Sequence, residues 1–369
     1  MELNLTPSDA SFKIEVEAFV NEAYPLKVRQ NPAPNDIEKW HSLVAGKGWT
    51  AVDWPSRFGG TGWSTMEQYI WHLVTAGANC PQAEHCALQL VGPLIQTIGQ
   101  EHHQHHLSGI SSGTRVWGNA TFQTSNNDLV ASPHGGAYEI KGDASCLTST
   151  YLRSGLPDWI IILAFTESGH SLFLVDRRLT GLEINTSSAG FSNSAVQKIR
   201  FSGVKIPADS LMGELNNGQK HLENILERDV SISSILRIQP AVSYLQQIIE
   251  KFELQEELEI RLASIKIQLQ ALEATGLRYT LDKRNADAHL SQIVNIKAAE
   301  LTDEVSALLG DALGYYSIPA VNASPGDNEP PLLSADLLGL RGKAQQADPL
   351  IIDSTRFQRD LVARTVLGL

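Results

Sequence analysis

FSGVKIPADSLMGELNNGQKHLENILERD, residues 201–229, contains the point at which the chain changes its hydrophobic period. Its opening belongs to VQKIRFSGVKI (196–206), a short run rich in β-branched and aromatic residues, and this composition predicts a strand. After Gly213 the pattern turns helical. Ile238, Val242, Leu245, Ile249 and Phe252 step by four and three, as do Leu262, Ile265, Leu269 and Leu272. Such spacing lines the apolar residues along one face of a long helix, as the core of a helical bundle requires. NASPGDNEPP (322–331) is a Pro/Gly/Asn loop that interrupts the bundle.

Upstream, RVWGNATFQ (115–123), AYEIKGDAS (137–145), DWIIILAFTE (158–167) and HSLFLVDRR (170–178) share the strand composition. Turn formers such as HGG (134–136) and ESGH (167–170) separate them, which predicts a β barrel or sandwich of about 100 residues. Before Gly113 the reading is helical again. Phe12, Val16 and Phe19 recur at helical spacing, and Asn35–Ala45 and Thr65–Ala76 read the same way. Between the latter two lies GWTAVDWPSRFGGTGWS (48–64), a loop composition whose glycines permit sharp turns. The expected architecture is α+β in three blocks: an N-terminal helical domain (1–112), a central β domain (113–212) and a C-terminal four-helix bundle (213–369).

Composition narrows the function classes. The net charge of -12 argues against non-specific binding of nucleic acid. Three scattered cysteines, Cys80, Cys86 and Cys146, argue against a disulfide framework and a structural zinc site. No run approaches the ~20 apolar residues of a membrane span. MELNLTPSDA lacks the basic and apolar regions of a secretory signal, so a soluble cytoplasmic protein is expected. In EHHQHHL (101–107), His102 and His106 have the spacing of a metal pair, but a solvated surface is the stronger expectation. GGTG (59–62) lacks the Lys-Ser/Thr of a phosphate loop and reads as a turn, while Trp54, Trp63 and Trp71 read as packing.

Four strings in order add a resemblance: KGWTAVDWPSRFGGTGWS (47–64), VGPLIQTIGQEHHQHHLSGISSGTRVWG (91–118), the 201–229 stretch, and QRDLVARTVLGL (358–369). Together with the helical, β, helical order, they resemble the acyl-CoA dehydrogenase flavoproteins over nearly the whole chain. The resemblance implies FAD as cofactor and an acyl-CoA thioester as substrate. A carboxylate would remove the α proton, and electrons would pass on to an electron-transfer flavoprotein.

The resemblance also implies roles for particular residues. The family's usual C-terminal Glu aligns with Ile352 in PLIIDSTRFQRD, followed by Asp353, so that base is absent. A subset of the family keeps its base in a helical "E-R" pair, which matches Glu227 and Arg228 in NILERDVS. Glu227 is therefore the candidate base, with Arg228 beside it on the substrate side. TFQTSNNDL (121–129) matches a flavin-facing string, giving Thr121 to the cofactor and Asn127 and Asp128 to the substrate. GDASCLTST (142–150) matches a second one, giving Thr148 and Ser149 to the cofactor, with Cys146 where the family has a Trp that packs on the ring. Cys146 reads as a small buried residue rather than a redox thiol.

The strings that grip the FAD diphosphate and adenine are eroded. IIEKFELQEELEIR (248–261) keeps Phe252 but has Glu253 for Gly and no preceding Arg. LLGDALGYY (308–316) keeps Gly314 and Tyr315, yet it places Asp311 where a carboxylate would repel phosphate. In this family two chains share each FAD, one supplying the ring face and base and the other the grip. Loss of one set implies a heteromer with a homologous subunit, as in assemblies acting on steroid side chains in lipid metabolism. The alternatives are a non-catalytic subunit that stabilises an active partner, or a flavin monooxygenase or oxidase on the same fold.

Overall fold

The computed structural model describes residues 5–30, 32–82, 86–121, 129–149, 156–186, 194–226, 232–252, 256–281, 288–314, 359, 362–364 and 368. The helices are α1 (Pro7–Ala23), α2 (Leu26–Gln30), α3 (Pro34–Gly46), α4 (Thr65–Gly77), α5 (Gly92–Ile98), α6 (His105–Ser111), α7 (Gly218–Leu226), α8 (Ile232–Leu236), α9 (Ile238–Phe252), α10 (Glu256–Leu281) and α11 (Ala288–Leu313). The strands are β1 (Trp117–Ala120), β2 (Leu129–His134), β3 (Ala137–Ser149), β4 (Trp159–Phe165), β5 (His170–Asp176), β6 (Leu182–Thr186), β7 (Ser194–Pro207) and β8 (Leu211–Met212). Two compact units divide the chain, and each is discontinuous in sequence. One holds 1–36, 63–80 and 229–369; the other holds 37–62 and 81–228.

In the first unit, α1 and α4 both begin with reciprocal caps. The Thr6 hydroxyl accepts the Asp9 N–H at 3.2 Å, and the Asp9 carboxylate accepts the Thr6 N–H at 3.2 Å. Ser64 and Glu67 repeat the device, at 3.2 and 2.7 Å. Each box satisfies two N–H groups that a helix start leaves without partners. Phe12 meets Trp63 edge-on at 4.9 Å, and Phe19 and Trp63 both lie against Trp71, at 6.3 and 5.9 Å. The predicted apolar steps of α9 and α10 face inward: Val242, Leu245, Ile249, Leu262, Ile265, Leu269 and Leu272 share one core with Val294, Leu301, Val305 and Leu308 of α11. Gly276 gives α8 room against α10, since a Cβ there would lie 2.9 Å from Ile235 Cδ1.

The second unit is built on one mixed sheet in the order β6-β7-β3-β1-β4-β5-β8, with β2 paired to both β3 and β4. β3 and β7 form a long antiparallel ribbon. Between Ile140 and Lys141 its register shifts from Val204 to Ser202, leaving Gly203 as the extra residue at φ 73°. That is a β-bulge with glycine in the left-handed region. The predicted HGG turn closes β2 onto β3 through Gly135 and Gly136, both at positive φ. The sheet's core contains Ala120, Ile140, Cys146, Ile160, Ile162, Phe173, Val175, Ile199 and Phe201. β2, β6 and β8 lie outside the predicted strand runs.

The Gly/Trp loop is a turn, as its sequence indicates. The Trp54 indole donates to the Leu88 carbonyl at 2.8 Å. Its ring lies where a Gly92 side chain would be, with a Cβ falling 2.0 Å from Cζ2, and a Cβ on Gly60 would fall 1.9 Å from the Trp54 carbonyl oxygen. Gly92→Ala should therefore cost about 1–3 kcal/mol or more through overpacking. Gly46→Ala, which meets nothing within 4 Å, should stay within about ±0.5 kcal/mol. Urea midpoints of the two variants check this, and equal midpoints would contradict it.

Candidate active site

The candidate site starts at β1, which lies between antiparallel β3 and parallel β4. Gly118 lets it lie there. A Cβ on Gly118 would sit 2.5 Å from Cys146 Sγ and 3.1 Å from Pro157 Cγ. Ala120 faces the sheet core with Cys146, so strand alternation turns Asn119 to the opposite face.

Asn119 is 1% exposed and Thr121 4% exposed. The Thr121 backbone N–H donates to Asn119 Oδ1 at 3.0 Å, and the Thr121 hydroxyl donates to the same oxygen at 2.7 Å. A backbone N–H can only donate, so the atom receiving it must be the carboxamide oxygen. The orientation of the amide is thereby fixed. Its other end, Nδ2, is buried with no hydrogen-bond partner among the described residues. Gln197 on β7, cross-strand from Cys146, has a similarly unpaired Oε1 and is 1% exposed. A buried polar atom without a partner costs about 1–3 kcal/mol. Where β1 ends, the protein thus holds an unpaired donor that a polar ligand edge would satisfy, and in this respect the site fits a flavin ring.

The other predicted cofactor residues close β3. The Thr148 backbone pairs with Gly118 on one side and Ala195 on the other, and Ser149 lies opposite Ser194. Thr148 is therefore on β3, and Thr121 directly follows the end of its neighbour β1. The predicted substrate residues Asn127, Asp128 and Arg228 and the predicted base Glu227 lie outside the described residues, as do Ile352 and Asp353; α7 runs to Leu226, immediately before Glu227. Asn119 was not among the residues the sequence singled out. Its one signal is a polar side chain inside an apolar strand run.

Two expectations change. Asp311, expected to repel phosphate, carries an ion pair with Arg261 at 2.6 Å, so its charge is offset locally. The histidine run, expected to be solvated, is only half so: His102 and His105 are exposed while His103 and His106 are buried. His103 Nδ1 accepts the Gln100 N–H at 3.1 Å, so its Nε2 carries the proton and donates to the Asp209 carbonyl at 2.8 Å, alongside His102 Nε2 at 2.8 Å. His106 packs edge-on to Trp117 and Trp159 at 5.3 and 4.4 Å. No group of three or more His, Cys, Asp or Glu arranged for a metal occurs among the described residues. Cys146 is fully buried, and burial pushes its thiol pKa up, which suits a core residue and not a redox thiol. No described helix is long and apolar enough to cross a membrane.

No protein-family profile matches the chain. It is 23% identical to acyl-CoA dehydrogenase IpdE1 of Mycobacterium tuberculosis, over 92% of this chain and 90% of that protein. Among solved structures it is similar to the ChsE4–ChsE5 complex of Mycobacterium tuberculosis, with a TM-score of 0.75, 18% identity, and coverage of 100% of this chain and 99% of that one. It is likewise similar to a Tcur3481–Tcur3483 complex described as a steroid ACAD, with a TM-score of 0.76, 19% identity, and coverage of 100% and 99%.

Burial pushes the His106 imidazole down to about 3, helped by neighbouring His105 and Arg115. The unfolded imidazole takes its proton near 6.5. Unfolding therefore binds a proton between these values, and stability falls as pH drops from about 6.5 towards 3, by at most about 1.4 kcal/mol per pH unit. Above pH ~6.5 this group contributes no pH dependence. His106→Phe should flatten the acid limb of a stability–pH curve, and an unchanged slope would refute the assignment.

Proposed function

Starting from the acyl-CoA dehydrogenase fold that this chain shares with the solved structures, we propose that it is one subunit of a heteromeric, FAD-dependent acyl-CoA dehydrogenase. The reaction is desaturation of an acyl-CoA thioester between Cα and Cβ. The carrying observation is an asymmetry. The end of β1 holds a buried Asn119–Thr121 pair with an unpaired donor, whereas the string that would hold the diphosphate has Glu253 for a Gly and no preceding Arg. The chain thus keeps a polar ring-side site and lacks most of the grip, which a homologous partner would supply.

The likeness to two-subunit complexes points the same way, and the one described as a steroid ACAD supports a steroid-derived acyl group in lipid catabolism. We place the protein in the cytoplasm, with an electron-transfer flavoprotein as acceptor.

Bound FAD would accept the β hydrogen as hydride. The protein's own part is to take and hold the α proton and to orient the thioester. Glu227 is the proposed base; burial beside an acyl chain raises a carboxylate's pKa and lets it keep that proton. Arg228, Asn127 and Asp128 are proposed on the substrate side, and Thr121, Thr148 and Ser149 on the cofactor side. A second reading, a non-catalytic subunit supporting an active partner, is favoured by Cys146 lying in the sheet core where the family has a ring-packing Trp.

Two measurements decide. Expressed alone, the chain should carry little flavin; co-expressed with a homologous acyl-CoA dehydrogenase subunit that co-purifies with it, the complex should carry bound FAD. Full FAD occupancy in the lone chain would refute the heteromer. Within the complex, Glu227→Gln should lower turnover by about 10²–10⁴-fold with FAD retained. Unchanged turnover would establish the non-catalytic reading instead.

A further inference from the structure

We propose that Asn119 is a positioning residue for the cofactor, converting Thr121 into a hydrogen-bond acceptor and presenting its own carboxamide N–H as the matching donor. The inference rests on the flavin reading above. It begins with Thr121, whose backbone and hydroxyl hydrogens both go to Asn119 Oδ1, at 3.0 and 2.7 Å. A hydroxyl has one hydrogen and two lone pairs. With that hydrogen committed, Thr121 Oγ1 can only accept. The threonine therefore cannot donate to a flavin carbonyl or ring nitrogen while the clamp holds.

The missing donor is supplied next to it. Asn119 Nδ2 belongs to the same carboxamide, is buried, and has no partner among the described residues. The pair thus offers one acceptor, Thr121 Oγ1, beside one donor, Asn119 Nδ2. An imide edge, such as the pyrimidine side of an isoalloxazine, presents an N–H flanked by carbonyl oxygens. It is complementary to that couple, with the imide N–H meeting Oγ1 and a carbonyl meeting Nδ2. Burial of both residues strengthens such bonds and makes an unpaired Nδ2 costly.

The test uses the full chain co-purified with its partner subunit, with FAD as the probe. Asn119→Ala releases both Thr121 donors and removes Nδ2. It should raise the FAD Kd at least about tenfold, equivalent to about 1.4 kcal/mol, and shift the flavin absorption maximum. Thr121→Val should weaken FAD binding too, and the double variant should lose less than the sum of the singles, as coupled residues do. Asn119→Asp keeps an acceptor for Thr121 but replaces the donor with a carboxylate; it should retain the fold and lower the flavin's midpoint potential. This variant carries the test if the alanine variant is insoluble. Wild-type FAD affinity, spectrum and potential in the Asn119 variants, in a complex that does bind FAD, would overturn this inference alone. A wild-type complex that takes up no FAD would overturn the flavin reading and this inference together.

Discussion

The sheet can hold β1 between β3 and β4 only because residue 118 has no side chain. Any Cβ there would occupy space already filled by Cys146 Sγ and Pro157. Neither neighbour can yield: Cys146 is enclosed in a close-packed core, and Pro157 is a ring on the chain leading into β4. The side chains of the candidate site inherit their placement from this contact. It sets the distance between β1 and β3, hence the pairing of Thr148 with Gly118 and the facing of Asn119 and Thr121. Cys146 is part of the same fit, since its sulfur is the atom against which the glycine rests.

The helices were legible because their cores repeat with a period near 3.6, and that period survives burial on one face. β4 and β5 were legible because both of their faces are apolar, and β3 and β7 because buried apolar residues alternate with exposed polar ones. β2 and β6 were not, because LVASPH and LEINT mix polar and apolar residues in runs too short to establish an alternation. Grouping of the helices was also hidden. Periodicity shows that α1 and α4 have an apolar face but not what that face meets, so a linear division into three blocks was the natural reading. The compact units instead join 1–36 and 63–80 with 229–369. At the candidate site, Thr121 stands in a string that resembles a flavin-facing one, and that resemblance is what singled it out. Asn119 was not legible, because its significance lies in which hydrogens its oxygen receives.

Electrostatics was the least legible layer. Net charge describes the chain as a whole, whereas binding depends on local pairing. Asp311 looked hostile to a phosphate until Arg261, fifty residues earlier in the chain, was found against it. Such an exposed pair is worth little in stability, but it offsets the carboxylate's charge locally. The histidine run shows the same limit. Four similar side chains in five positions divide into two exposed and two buried: His103 and exposed His102 both reach the Asp209 carbonyl, while His106 packs on the Trp117 and Trp159 rings.

The discontinuity of the compact units has a consequence for biosynthesis. A ribosome delivers the chain from its N-terminus, and domains fold as units once their residues have emerged. The sheet-bearing unit ends at residue 228, so its pieces are all available before most of the other unit exists. Helices α1 and α4 appear early, yet the bundle they belong to comes only with residues after 229. At roughly 5–20 residues per second, their apolar faces wait tens of seconds for that core. Nascent-chain quality control would therefore act on the two ends of this protein differently: the N-terminal helices need shielding during translation, while the sheet can close behind them.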